Sequence, residues 1–439
     1  MCGIVGVIAK NRIQCMSANE LARMCQYQRH RGPDDKGIVA LDLNKHKIRN
    51  LRIDESVECK GLLGFTRLSI QDLSQNGHQP MQNRESNISI IFNGEIYNFR
   101  ELRDKLIKIN HVFESRTDTE VILHMYMEYG IKKTLEELNG MFAFAIADLR
   151  IHKIYIVCDR FGIKPLYIAS AEDAFLFASE IKAFLPYHGF ISKLNMDAVQ
   201  EYMLFQNLMS DTLLEGVTQL EPGTILEIDL ESNKIRKEQY FDVESYSRRN
   251  IVGNYNDMKE RIWEMLKTVV QRQVVSDAKV GCQLSGGIDS SILTQIAVEE
   301  CGLFDTVSCK TDSIAQTDAP YIDIVNYKLN ANAHIKNIDA ETFIDSVINV
   351  VWHFDSIMSH TPPAGMYRIS ECASENKIKV LLSGEGADEL FGGYKCFSKM
   401  AFNNTVCSED DIINNIIIRD GRESTNFLKK ILPTINPER

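Results

Sequence analysis

Two short apolar runs in the second half of this chain each break into a glycine-rich turn, and no other feature restricts the fold as tightly. "KVGCQL" runs into "SGGIDSS" (Ser285–Ser291), and "KIKVLL" runs into "SGEGADELFGGY" (Ser383–Tyr394). Between them "SILTQIAVEE" has helical composition and "DTVSCKT" reads as another strand. Residues 254–275 ahead of them form one long amphipathic helix pattern. Strands alternating with helices predict a parallel, doubly wound sheet, in which ligands bind at the carboxyl ends of the strands. Both turns fall there.

The first half follows another pattern. "GIVGVIA" (residues 3–9), "LLGFTRLSI" and "ISIIFNGEIYN" read as buried strands, and "MFAFAIAD" and "KIYIVCD" as a pair. "NFRELRDKLIKI" and "DTEVILHMYMEYG" carry apolar residues at helical spacing, the second starting near Asp118. "AFLFASEIKAFL" reads as a strand entering a helix. Strand runs adjacent in sequence predict antiparallel sheets with helices, an α+β unit. At 439 residues the chain is too long for one ordinary core. The boundary falls between about 205 and 255, where "LEPGTILEIDLESNKI" reads as a hairpin that closes the first unit or bridges to the second.

Composition removes several classes. The net charge is −11 with no long Lys/Arg cluster, so nucleic acid is not an expected partner. No apolar run is long enough to span a membrane, and the N-terminus lacks a basic stretch followed by an apolar one. Eleven cysteines, an odd number with no C-x-x-C pair, argue against a disulfide framework or zinc site and for a reducing cytoplasm.

The turns suggest chemistry. Backbone N–H groups around Gly286 and Gly287 make an anion nest, flanked by the hydroxyls of Ser285, Ser290 and Ser291. Asp289 is placed to hold Mg²⁺ beside pyrophosphate, and no G-K-[ST] follows, so this is not a Walker loop. Glu385, Asp388 and Glu389 in the second turn would repel phosphates unless a cation intervened or one of them acted as a base, which favours Mg-nucleotide chemistry. In the first half, Arg67 and Asp118 are suited to clamp an amino acid's carboxylate and ammonium. Asn93–Gly94 can supply an amide and a backbone N–H to an oxyanion. Cys2, once Met1 is removed, carries a thiol and an α-amine on one carbon, a nucleophile beside its own base.

In order, "MCGI", "RHRGPD", "RLSI", G-x-Q-P-M (Gly77–Met81), "FNGEIYN", "TDTE" and D-R-F-G-x-K-P-L-Y (Asp159–Tyr167) resemble the class II glutamine amidotransferases. With "SGGIDSS" and "SGEGADELFGGY" added, the chain from residue 2 to about 400 resembles the glutamine-dependent asparagine synthetases. The resemblance implies an N-terminal-nucleophile αββα sandwich at 2–211, a connecting segment at 212–254, and an ATP-pyrophosphatase (PP-loop) α/β domain at 255–439. It implies a ligase that makes asparagine from aspartate, glutamine and ATP with Mg²⁺, through β-aspartyl-AMP and transferred ammonia, and it allows for a homodimer. Cys2 would be the nucleophile, with Asn93 and Gly94 as oxyanion hole. Arg67, Leu68, Ser69, Ile70, Gln71, Asn93, Gly94, Glu95 and Asp118 would hold glutamine. Leu284, Cys309, Ser383 and Gly384 would contact the nucleotide together with Ser285 to Ser291. Glu385 would serve adenylate formation, and Asp289 and Asp388 the metal.

The chain departs from this pattern in two places. Only residues 395–439 follow Tyr394, without the E-x-R-V-P-F-L-D segment of the family. "KCFSKM" or "IRDGREST" would then have to supply the missing cations, and the expectation is an incomplete second domain that turns over slowly. "MSHTPPAGMY" (Met358–Tyr367), near the acceptor pocket, contains no Arg. Amidation of another carboxylate and a synthetase-dead homologue therefore stand as alternatives.

Overall fold

The computed structural model describes residues 1–394 apart from 12, 84, 86, 209–211, 248–252 and 312–317. The stretches "KCFSKM" and "IRDGREST" lie outside the described residues.

The first unit is a four-layer αββα sandwich. One sheet has seven strands in the order Val217–Gln219, Tyr167–Ser170, Ala174–Ala178, Gly3–Ala9, Gly61–Arg67, Asp35–Asp42, Lys47–Asn50. The other has six, in the order Ile235–Gln239, Thr224–Asp229, Lys153–Cys158, Gly140–Asp148, Ile88–Ile96, Met81–Asn83. Neighbours are antiparallel throughout. The run "GIVGVIA" shows why this follows from sequence. Ile4 and Ile8 point into the core between the sheets, with Phe65, Ile91 and Ile156. Val5, Val7 and Ala9 point the other way, under the helix Ala18–Tyr27 with Leu21 and Met24. A strand covered on both faces has no polar face, so its pattern is continuous rather than alternating. Helices Phe99–Ile107 and Asp118–Glu137 cover the second sheet through Leu102, Leu106, Ile122 and Phe144.

The expected connecting segment at 212–254 is corrected here. Val217–Gln219 forms an edge of the first sheet, and Thr224–Asp229 and Ile235–Gln239 extend the second. The hairpin therefore closes the first unit. Its apolar residues Ile225, Leu226 and Ile228 are buried against the sandwich and would otherwise face water.

The second unit is a parallel sheet in the order Asn332–Ile338, Asp305–Thr311, Val280–Gln283, Val380–Leu382. Helices Tyr255–Gln273 and Ile288–Cys301 cover one face through Val270, Ile296 and Ala297. The helix Pro362–Glu375 covers the other through Ile369, Cys372 and Ala373. The strand Asn332–Ile338 carries no sequence signal: it is an edge strand, and its polar composition leaves no apolar run to read. Chain direction across the sheet reverses between Val280–Gln283 and Val380–Leu382, which opens a crevice at their carboxyl ends.

A buried polar network joins the two units. Glu180, 3% exposed, pairs with His30 Nε2 at 2.9 Å, Arg31 Nη1 at 3.0 Å and Lys182 Nζ at 2.7 Å. Lys182 Nζ also reaches Asp355 Oδ1 of the second unit at 2.9 Å, and Ile181 N–H donates to Asp355 Oδ2 at 2.6 Å. Although burial opposes ionisation, the hydrogen bond to His30 and the charges of Arg31 and Lys182 hold the Glu180 carboxyl at about 2. Glu180→Gln leaves buried Arg31 and Lys182 without their shared anion, so it is expected to cost about 3 kcal/mol. The native carboxylate is depressed relative to the unfolded chain, so this stabilisation is complete above the unfolded value of 4.5 and is lost as pH falls toward 2. Thermal melts of both proteins check this: their separation should be widest near neutrality and close in acid.

Candidate active site

The first pocket opens where the two sheets of the sandwich part. Cys2 stands at the entry of the strand Gly3–Ala9, and its Sγ accepts from Leu68 N–H at 3.4 Å. Its backbone carbonyl accepts from Arg31 Nε at 3.0 Å, which joins Cys2 to the buried network. The strand Ile88–Ile96 lines the same pocket as Cys2, through Phe92 to Glu95. Asn93 there is fully buried, and neither its amide nitrogen nor its amide oxygen has a hydrogen-bond partner. A buried unpaired amide costs 1–3 kcal/mol on general grounds, so a donor held this way beside a nucleophile is set for an oxygen that arrives with substrate. Gly94 is required by close approach: a Cβ there would lie 2.2 Å from the Met141 carbonyl on the adjoining strand.

Glu95 and Asp118 line the same pocket. Asp118 Oδ2 accepts from Ile96 N–H at 2.9 Å, yet burial pushes its carboxyl up to about 6. Glu95 is raised further, by burial first and by the Asp118 charge second. Two buried carboxylates side by side in one pocket are suited to a positively charged group between them, such as an amino acid's ammonium.

Arg67 lines this pocket, but its guanidinium is largely committed: Nη1 donates to Ser74 O at 2.8 Å and Nη2 to Gln71 O at 3.2 Å. It braces the loop 71–74 as well as facing the cavity. Leu68, Ile70 and Gln71 line the wall, whereas Ser69 does not; its N–H donates to Asp34 Oδ2 at 2.8 Å.

Residues that sequence reasoning did not assign also line the pocket: Met1, Gln79, Thr117, Thr119, Met141 and Lys164. Lys164 is the instructive one. It sits inside the quoted D-R-F-G-x-K-P-L-Y run, but nothing in that run marks it as aimed at Cys2. Its Nζ lies 3.0 Å from Met1 Sδ, and burial lowers its ammonium to about 8. The amine of Met1 is likewise lowered to about 5, chiefly by burial and then by Arg31 and Lys164. A Cys2 α-amine exposed by loss of Met1 would meet the same two cations and stay neutral, as a base must.

The second pocket lies in the crevice of the parallel sheet. Ser285, Gly287, Asp289 and Ser290 meet Ser383, Gly384, Glu385, Gly386, Asp388 and Glu389 there, with Gln283 and Tyr394. The two turns touch: a Cβ on Gly384 would lie 3.2 Å from Ser290 N and 3.3 Å from Asp289 Cβ. Gly286 has φ +87°, a conformation that favours glycine, and a Cβ there would lie 2.3 Å from the Asp318 carbonyl. The helix Ile288–Cys301 aims its N-terminus into the pocket. Leu284, Gly286, Ser291 and Cys309 do not line it. Leu284 is fully buried with its N–H donating to Val307 O, and Cys309 packs beside Ile369 and Cys372. Among the described residues no Lys or Arg lines this pocket, and no three His, Cys, Asp or Glu side chains are grouped to hold a metal by themselves.

Comparison with known proteins agrees with this pairing of pockets. Residues 1–241 match the glutamine amidotransferase domain, and residues 261–422 match asparagine synthase. The chain belongs to the glutamine-hydrolysing asparagine synthetase family. It is 34% identical to asparagine synthetase [glutamine-hydrolyzing] 1 of Bacillus subtilis over 90% of this chain and 59% of that protein. Identity to putative asparagine synthetase [glutamine-hydrolyzing] 2 of Methanocaldococcus jannaschii is 32%, over 90% of this chain and 76% of that one. A solved phosphoribosylpyrophosphate amidotransferase from B. subtilis is similar at a TM-score of 0.41 and 18% identity, covering 89% of this chain and 92% of that chain. The chain thus spans 59% of the first relative's length.

The Glu95–Asp118 pair yields a pH prediction for this family member. An Asp118 that held a substrate's ammonium would do so only as the anion, so with glutamine as that substrate the KM is expected to rise as pH falls through about 6. Asp118→Asn should raise KM about tenfold or more at neutral pH, the loss of one charge-assisted hydrogen bond. The rise in KM through about pH 6 should then be absent from the variant. A variant that keeps the wild-type pH profile removes Asp118 from this role.

Proposed function

We propose that the chain makes asparagine from aspartate, glutamine and ATP, with nitrogen released in the sandwich and used in the parallel-sheet unit. The observation that carries this reading is the buried, unpartnered Asn93 amide in the same pocket as Cys2, in a protein whose other unit opens a glycine-lined crevice.

The Cys2 thiol gives its proton to the α-amine and the sulfur attacks the glutamine side-chain carbonyl. The developing oxyanion is received by the Asn93 amide and the Gly94 N–H. Ammonia leaves with the proton held by the α-amine, and water then releases glutamate from the thioester. In the crevice, the helix N-terminus and the turn N–H groups around Gly287 receive phosphate oxygens. The crevice is acidic, and that fits a cation bound together with phosphate. Asp289 and Asp388 would hold Mg²⁺, with phosphate and water completing the shell; the ion when bound neutralises charge on the departing pyrophosphate. Glu385 would orient the aspartate β-carboxylate for adenylation, which converts a poor acceptor into one with AMP as leaving group. Ammonia then displaces AMP. Every cysteine among the described residues is free, and no described helix is long and apolar enough to cross a membrane, which supports a cytoplasmic setting.

The test supplies the chain with amide-¹⁵N glutamine, aspartate, ATP and Mg²⁺. Labelled asparagine, AMP and pyrophosphate in equal amounts are expected; glutamate alone would overturn the synthetase half, and a different amidated acid from a panel of acceptors would overturn aspartate. Cys2→Ala should lose glutamine hydrolysis by orders of magnitude while synthesis from free ammonia persists. Glu385→Ala should bind ATP yet fail to move ¹⁸O from the aspartate carboxylate into AMP; undiminished transfer would assign that step elsewhere.

A further inference from the structure

The loop after the strand Gly61–Arg67 has two sides. One faces glutamine's pocket, through Leu68, Ile70 and Gln71, with the Leu68 N–H on the Cys2 sulfur. The other side is bonded to the second unit. Asp34 Oδ2 accepts from both Ser69 N–H at 2.8 Å and Lys379 Nζ at 2.7 Å, and Lys379 Nζ also reaches Ser69 O at 3.5 Å. Asp277 N–H donates to Ile70 O at 3.0 Å, and Asp72 N–H donates to Asp277 Oδ2 at 2.8 Å. Gln71 Nε2 donates to Val275 O at 2.6 Å.

These anchors occupy a particular place in the fold. Lys379 immediately precedes the strand Val380–Leu382, whose far end opens into Ser383, Gly384 and Glu385. Asp277 precedes the strand Val280–Gln283, whose far end opens into Ser285 and the nest. The two strands are hydrogen-bonded neighbours, and Lys379 N–H donates to Lys279 O at their common root. At about 3.3 Å per residue, strands of three and four residues separate the two ends by only about 10–13 Å. The glutamine loop and the nucleotide turns are therefore tied to opposite ends of one short strand pair.

We infer that Lys379 and Asp277 are positioning residues that fix the glutamine loop to the roots of the strands carrying the nucleotide pocket, so that each pocket senses the occupancy of the other. The inference rests on the function proposed above. A shift of either strand on nucleotide binding moves the Leu68–Gln71 wall, and by linkage glutamine must alter nucleotide affinity by the same factor. The Lys379–Asp34 pair is half-exposed, so its value lies in fixing geometry more than in stability.

The test compares Lys379→Met, Lys379→Arg and Asp34→Asn with the wild-type chain. In wild type, ATP with aspartate should change the KM for glutamine. In Lys379→Met the KM should rise about tenfold, equivalent to about 1.4 kcal/mol, with kcat little changed, and the effect of ATP and aspartate on it should vanish. Glutamate released per asparagine should rise above one, while synthesis from free ammonia stays within about twofold of wild type. Lys379→Arg should restore coupling, and Asp34→Asn combined with Lys379→Met should be no worse than the stronger single change, as for one shared interaction. An unmoved KM and ratio in Lys379→Met overturn the inference, as does an equal loss of glutamine- and ammonia-driven synthesis, which marks general damage. A wild-type chain that releases no glutamate overturns the function proposed above and the coupling with it.

Discussion

Everything at the first pocket depends on the burial of one strand. Gly3–Ala9 is hydrogen-bonded on both sides, to Gly61–Arg67 and Ala174–Ala178, and covered on both faces. Such a strand has no freedom to slide, because a slip of one residue would exchange the Ile4/Ile8 face with the Val5/Val7 face. Its entry point is consequently fixed to the same degree, and Cys2 occupies that entry. The pairing of Gly3 with Thr66 then brings the following residues, Arg67 and Leu68, alongside the sulfur. Cys2 and the loop after Gly61–Arg67 are neighbours because their strands are neighbours.

Charge is buried in this protein in two ways, and the difference separates architecture from chemistry. Glu180 is surrounded by His30, Arg31 and Lys182 and stays ionised far below its ordinary range. That is a closed set, and it holds the units together. Glu95 and Asp118 are pushed upward instead, by burial first and, for Glu95, by the Asp118 charge beside it. Lys164 is buried against a thioether and pushed downward. Groups whose charge is left unanswered in a cavity mark the place where a ligand completes the set. The same test distinguishes Arg67, already engaged by backbone carbonyls, from Asn93, engaged by nothing.

Much of the fold was legible because its strands are either buried on both faces or end in glycine turns, and each condition leaves a local mark. The runs at 3–9, 61–67, 88–96 and 140–148 lie in the sheets where their patterns placed them. Asn332–Ile338 left no mark because an edge strand with polar residues needs no apolar face. The hairpin at 224–239 was legible as a hairpin, but not in its allegiance, since that depends on which surface it covers. Cys2, Asn93, Gly94 and Asp118 were legible through their neighbours in sequence, and they share one pocket. Lys164 was quoted within a motif and passed over, because its aim is set by the turn after Cys158 and not by spacing. Leu284 and Cys309 stand near the crevice along the chain but do not line it: Leu284 is fully buried just past Val280–Gln283, and Cys309 packs beside Ile369 and Cys372.

The parallel sheet explains why the two units are joined as they are. A doubly wound sheet presents loops at both ends of its strands, and only the carboxyl end is suited to phosphate, because the turn N–H groups and helix N-termini gather there. The amino end has no such polarity and is free for structural use. Here it is bonded to the loop after Gly61–Arg67, through Asp277 and Lys379. Another contact between units, Asp355 with Lys182, falls at the end of the helix Ala340–Phe354 and reaches Cys2 through Glu180 and Arg31. Both routes end beside the same sulfur, one on its side-chain neighbour Leu68 and the other on its own carbonyl. Two short polar routes converging on Cys2 from separate elements hold the first pocket in register with the second unit more firmly than either route alone.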